Sequence, residues 1–263
     1  MPFFLSKQIL HAYLSYDYFG LVTYGPLRCG KSSHAIQILA EVYGILENPE
    51  WKKKITTLNF QDWKQWVSDK TVPKWDAWKD WLVFKPREYV DKVREETNIQ
   101  RCLIVWDDAA FWLSHYGYKN PFLKAVGEYL NVAASDWASI LFTAPNPKWL
   151  LTHVRGLPGG HTGRVSKLTG DPWAQQLRYM KVYEGWTTPD FKKSGVNGIF
   201  MDKFTVRLPN KVFYEYDKVR RTYAAIAKQR MLETLDYIEK AWGPEKASRS
   251  KAELEENIGI PLD

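Results

Sequence analysis

Residues 25–33 read Gly25-Pro26-Leu27-Arg28-Cys29-Gly30-Lys31-Ser32-Ser33, which satisfies the pattern G-x-x-x-x-G-K-[ST] of a phosphate-binding loop. Glycines at both ends of the loop let its backbone wrap a polyphosphate closely, so that successive N–H groups point at the phosphate oxygens. Lys31 brings a positive charge to the β- and γ-phosphates, and the Ser32 hydroxyl supplies one oxygen of a Mg2+ shell. A second group of candidates closes the run Leu103-Ile104-Val105-Trp106-Asp107-Asp108. Four apolar residues delivering a carboxylate describe a buried strand whose tip lies beside a phosphate loop. Asp107 is expected to hold the Mg2+ shell through water. Asp108 points off the strand end toward substrate and suits polarising the water that attacks a γ-phosphate.

These groups need elements to position them. Tyr18 to Tyr24 is a short apolar, β-prone run, and Ser33 to Leu46 carries Ile36, Leu39, Ala40, Tyr43 and Leu46 at helical spacing. Strand, glycine loop and helix together aim a helix N-terminus at an anion. Ser6 reads as the cap of a short helix ending near Leu14. Lys54 to Phe60 reads as a second strand, Pro86 to Glu96 as a helix with proline in its first turn, Arg101 to Asp108 as a strand, Asn120 to Ala134 as a helix and Ser139 to Thr143 as a strand. The alternation predicts an α/β fold with a mainly parallel sheet flanked by helices. Beyond Arg155 the pattern changes: Arg164 to Leu168, Leu177 to Glu184 and Ile199 to Leu208 read as antiparallel strands, and Lys218 to Trp242 as a long helix. The organisation expected is one domain over residues 1–242, with a Trp-rich insertion at about 61–81 and a β-rich extension at about 157–217. A charged tail follows at 243–263. Trp75, Trp78 and Trp81 lie on one helical stripe, which reads as a packing face or as a partner contact.

Three segments, GPLRCGKSS, LIVWDDAAFW and ILFTAPNPKWLLTHVR, resemble the additional-strand P-loop ATPases encoded by archaeal viruses and plasmids, relatives of AAA+ and RecA-like motors. The resemblance covers roughly residues 15 to 156. It implies Mg-ATP hydrolysis and oligomeric action on DNA, with ATP and Mg2+ as cofactors. It makes Ser139 to Thr143 the sensor strand, in which Thr143 or Asn146 bonds the attacking water or the γ-phosphate. Two departures stand out: the acid after Asp107 is Asp rather than Glu, and the C-terminal third is not a small helical lid. Arg155 and Arg164 flank the loop RGLPGGHTGR and admit three readings: a finger on a neighbour's γ-phosphate, a contact to DNA phosphates, or plain surface basicity.

With 45 % hydrophobic residues, the chain of 263 can bury one large core. A formal net charge of +7 suits an anionic partner, and Lys218, Arg220, Arg221, Lys228 and Arg230 form a basic cluster on the last helix that reads as a solvated amphipathic face or as a nucleic-acid contact. Two cysteines cannot form a disulfide framework. No segment reaches the ~20 apolar residues of a membrane span, so a reduced, cytoplasmic protein is expected. The five histidines show no metal-ligand spacing. The function these residues support is an ATPase acting on DNA; a small-molecule kinase and a nucleotide-gated scaffold are the alternatives.

Overall fold

The structure, a computed structural model, describes residues 2–95, 99–114, 120–155, 160–167, 176–187 and 194–242. The chain divides into two compact units, Met1–Leu208 and Pro209–Asp263. The first opens with α1 (Phe4–Ser15), β1 (Phe19–Tyr24) and α2 (Lys31–Leu46), followed by the short helices α3 (Trp51–Thr57), α4 (Phe60–Lys70) and α5 (Trp78–Trp81). The two-residue strand β2 (Leu82–Val83) then leads into α6 (Pro86–Arg94), β3 (Arg101–Trp106), α7 (Ala109–Trp112), α8 (Pro121–Leu130), β4 (Trp137–Ala144) and α9 (Thr152–Arg155). Three further strands complete the unit: β5 (Gly160–Lys167), β6 (Leu177–Thr187) and β7 (Ser194–Thr205).

One seven-stranded sheet runs β2-β3-β4-β1-β5-β6-β7. Its first five strands are parallel, and β5–β6 and β6–β7 are antiparallel. The chain is therefore an α/β protein with a mainly parallel sheet, antiparallel C-terminal strands and a long C-terminal helix, α10 (Asn210–Trp242). The strand β4 stands between β1, which feeds the phosphate loop, and β3, which delivers the acids. The three strands expected to be antiparallel pair so, β5 with β6 and β6 with β7, and β5 also joins β1 in parallel, with Tyr24 opposite Arg164.

Both faces of the parallel part are dry. Ile36, Ile38, Leu39 and Val42 of α2 are buried, as are Leu5, Ile9 and Leu10 of α1. A second cluster gathers Ile104, Trp106, Trp137, Ile140 and Phe142 with Tyr89 of α6, Leu123 and Val126 of α8 and Val154 of α9. Each such side chain contributes ~1.5–3 kcal/mol on burial. Helices on both faces explain why β1, β3 and β4 read as continuous apolar runs rather than alternating ones.

Two sequence expectations are corrected. Lys54 to Phe60 is not a strand: Trp51 and Ile55, buried one turn apart, pack the helix α3, and the Thr56 and Thr57 hydroxyls donate to carbonyls three and four residues back. Threonine satisfied within its own helix overrides the β-propensity of Ile-Thr-Thr. Asn59 then caps α4 by accepting from the Asp62 N–H. Ser6 does not cap α1; it lies buried within the helix. The Phe4 and Leu5 N–H groups donate instead to the two carboxylate oxygens of Asp202, on β7, at 2.8 and 2.9 Å. The Trp-rich segment is a packing face: Trp63, Trp66 and Trp78 are buried, and Trp81 stacks on Tyr43 at 5.2 Å.

Candidate functional site

The phosphate loop leaves β1 at Gly25 and enters α2 at Gly30. Both glycines have positive φ, 151° and 95°. A Cβ on Gly25 would lie 2.5 Å from the Val165 carbonyl oxygen of β5, and one on Gly30 would lie 2.5 Å from Val206 Cγ1. The loop is thus clamped between the strand beside it and the segment that follows β7, and only glycine fits at either end. Between them Pro26, Leu27 and Arg28 are exposed, whereas Cys29 points inward and is buried. The Gly30 carbonyl accepts from the His34 N–H, which starts the helix ladder. His34 itself is buried between Phe3 and Phe204, and burial pushes its pKa down to about 3. It is a neutral packing residue behind the loop.

Lys31 is buried, and its ammonium donates to the Gly25 and Pro26 carbonyls at 2.9 and 3.1 Å. It lies folded along the inside of the loop. Ser32, the next residue, donates its hydroxyl to Asp107 Oδ1 at 2.9 Å. That carboxylate is fully buried and closes β3. The Asp107 N–H donates to the Val83 carbonyl at 2.8 Å, so the edge strand β2 helps fix the acid.

Thr143 on β4 completes the arrangement. Its hydroxyl donates to Asp107 Oδ1 at 2.5 Å and accepts from the Asp108 N–H at 2.9 Å. One side chain therefore ties both acids to the strand that separates β3 from β1. Asp108 sits at φ 47°, ψ 38°, a left-handed conformation for a non-glycine residue. Aspartate tolerates it better than most residues, at a cost of order 1 kcal/mol or more. The turn redirects the chain out of β3 and into α7, and leaves Asp108 half-buried beside the fully buried Asp107.

Of the residues singled out in the sequence, Ser32, Asp107, the Asp108 N–H and Thr143 are joined by hydrogen bonds, and Lys31 is bonded within the adjoining loop. The others fall differently. Asn146 accepts from the Lys148 N–H and caps a turn over Pro147–Trp149, so its carbonyl oxygen serves the backbone. Arg155 ends α9; its side chain lies outside the described residues, as do residues 156–159 of the adjoining loop. Arg164 is exposed on β5. Sequence reasoning missed Val83, Val165 and Val206 as supports of the site. Nothing in their local sequence distinguishes them, because their contribution is a backbone carbonyl or a methyl group placed by the sheet.

No protein-family profile matches the chain. Over 250 residues, 89 % of this chain and 84 % of the other, it is 22 % identical to the uncharacterized protein B-251 of Sulfolobus spindle-shape virus 1. Among solved structures, the N-terminal domain of zonular occludens toxin from Neisseria meningitidis is similar at a TM-score of 0.37 and 12 % identity, covering 74 % of this chain and 97 % of that one.

Proposed function

We propose that this chain is a Mg-dependent ATPase that couples ATP hydrolysis to binding or moving DNA, and that it works as a homo-oligomer. The observation that carries the reading is the bond from Ser32 to Asp107 at 2.9 Å. It brings the hydroxyl of a phosphate loop and a buried carboxylate from a different strand to one place, as a nucleotide–metal site requires. The donor set fits Mg2+: hydroxyl and carboxylate are both hard oxygen ligands of the kind this ion takes. Ser32 would hold the ion directly and Asp107 through water. A bound Mg2+ would supply positive charge to offset that of the phosphates.

The remaining steps belong to the chain. The loop N–H groups and the start of α2 bind the phosphates. Lys31 exchanges its bonds to the Gly25 and Pro26 carbonyls for phosphate oxygens. Asp108, held at the strand tip by its N–H bond to Thr143, orients the attacking water and accepts its proton. Thr143 acts as a positioning residue for both acids. The intervening strand β4 and a relative in a Sulfolobus virus accord with the additional-strand resemblance. Arg155 is proposed to complete the site of a neighbouring subunit, where an arginine finger is worth ~10³–10⁵ in rate.

The test is ATP turnover by the purified protein and by Lys31→Ala. The native chain should hydrolyse Mg-ATP, and the variant should melt normally and lose both tight binding and turnover. A folded Lys31→Ala protein with native turnover refutes the assignment. Binding without turnover in the native chain favours a nucleotide-gated scaffold.

A further inference from the structure

The sheet does not end where its helices do. On β5, β6 and β7, one face is dry: Val165, Met180, Val182, Asp202 and Phe204 are all buried. The opposite face is open, and its side chains follow from the register. One row places Arg164 of β5 directly opposite Lys181 of β6, which in turn faces Met201 of β7. The next row sets Ser166, Tyr179 and Lys203 side by side, and the row on the other side sets Thr162, Tyr183 and Gly198. Arg164, Lys181, Met201 and Lys203 are exposed, and the two tyrosines are half-buried.

Two features of this face ask for an explanation. Arg164 and Lys181 are like charges directly opposite one another, a pairing that destabilises a sheet. No acidic side chain shares these three rows among the described residues. The cations are also interleaved with aromatic rings. The Lys181 ammonium lies 5.4 Å from the Tyr183 ring centroid. The residue opposite Tyr183 is glycine, and a Cβ built there would lie 4.0 Å from the ring and 3.2 Å from Lys181 Cε. The basic cluster of α10 is different in kind, since Arg221 donates to Asp217 on the same helix at 2.6 Å and that helix carries further acids.

We propose that the open face of β5–β7 binds single-stranded nucleic acid, with Tyr179 and Tyr183 stacking on bases and Arg164, Lys181 and Lys203 contacting phosphates. This rests on the nucleic-acid half of the function proposed above and gives it a surface. Unpaired bases present π-faces to a flat sheet, whereas a duplex hides them and would leave both tyrosines idle. The two rings stand four residues apart on β6, ~13 Å along the strand, with the Arg164–Lys181 row between them. The face also adjoins the nucleotide site: Arg164 pairs with Tyr24, the last residue before the loop, and its neighbour Val165 closes on Gly25.

The experiment is fluorescence anisotropy of a labelled oligo-dT of about 20 nucleotides, alongside oligo-U and a duplex of equal length, from ~50 to ~200 mM salt. Three phosphate contacts predict a log–log salt slope near −2, a loss of roughly 20-fold over that range. Arg164→Ala/Lys181→Ala should weaken binding ~10-fold or more and bring the slope to about −0.7. Tyr179→Leu/Tyr183→Leu should weaken binding ~10-fold or more with the slope unchanged, and the Phe double variant should restore it, because stacking needs the ring and not the hydroxyl. Equal affinity for oligo-dT and oligo-U supports the same face and shows that it does not read the 2′-hydroxyl. Tighter binding of the duplex overturns the proposal. So does native affinity in both double variants, or a loss of binding that accompanies a change in oligomer size, which would make the face a subunit contact. If the sheet variants bind normally and Arg220→Ala/Arg221→Ala does not, the surface is wrong while the DNA function stands. If the native protein binds nothing, both fall, and ATP turnover without nucleic acid reports separately on the ATPase.

Discussion

Thr143→Val is the most informative single change, because valine keeps the shape of the side chain and removes only its hydroxyl. Thr143 is buried at 1 % exposure, so water does not readily replace what is lost. Two bonds disappear: a donation to the Asp107 carboxylate at 2.5 Å and an acceptance from the Asp108 N–H at 2.9 Å. A hydrogen bond to a charged group is worth ~1.5–3 kcal/mol, and a stranded buried N–H costs ~1–3 kcal/mol. Asp107 keeps its bond from Ser32 and Asp108 is half-buried, which places the loss toward the low end, about 3 kcal/mol. For a unit of this size that corresponds to a fall of ~6–12 °C in Tm. Asp108 also loses the anchor that holds its left-handed turn, so turnover should fall ~10²-fold or more, as expected when a general base drifts from its position. Thr143→Ser should restore both quantities. Thermal unfolding, a nucleotide-binding titration and steady-state turnover read the three effects. A Thr143→Val protein that melts within ~2 °C of native and hydrolyses ATP normally refutes the bracing role. Native Tm and ATP affinity with turnover abolished would instead make Thr143 a sensor of the reacting water.

Asp108→Asn should fold, because asparagine also tolerates the left-handed turn, and it should bind Mg-ATP while losing most hydrolysis. Asp107→Asn should instead weaken Mg-dependent binding itself; identical behaviour in a titration over Mg2+ concentration contradicts the division of roles. Gly30→Ala should lower Tm by several degrees, since a Cβ would meet Val206 Cγ1 at 2.5 Å at a φ that disfavours side chains; adding Val206→Ala should recover part of the loss, and no recovery means the backbone alone is strained. Burial pushes the Glu41 carboxyl up to about 8 and that of Asp202 up to about 6. Both groups bind more protons folded than unfolded across that range, so their contribution to stability is full below their unfolded pKa values and is lost as pH rises toward 8. Tm should therefore fall between pH 5 and 8.5, and Glu41→Gln should flatten most of that slope; an unchanged slope removes Glu41 as its source. Mixing Arg155→Ala with Asp108→Asn should restore part of the turnover if the arginine serves a neighbour, because some sites then pair an intact Asp108 with an intact Arg155. A mixture that exchanges subunits and stays inactive places Arg155 in cis or outside the chemistry.

The sequence by itself determined the parts whose information is local. A phosphate loop is one continuous turn, so the spacing of Gly25, Gly30, Lys31 and Ser32 is its geometry, and the buried run before Asp107 specifies a strand with an acid at its tip. The same locality made α2, β3, β4 and the antiparallel hairpin of β6 and β7 legible from periodicity. Tertiary structure decided whatever depends on a partner distant in the chain. Lys54 to Phe60 has the composition of a strand and became a helix because Trp51 and Ile55 found a surface to pack on. The first helix is capped by Asp202, nearly two hundred residues away, and no local signal could have excluded Ser6. Thr143 carried the signature of a sensor, yet its hydroxyl meets Asp107 and the Asp108 N–H because β4 lies beside β3, a matter of strand order. The open basic face exists only because β5, β6 and β7 align Arg164, Lys181 and Lys203 in adjacent rows. Alternation along each strand was readable beforehand, but register between strands is set by packing of the buried face.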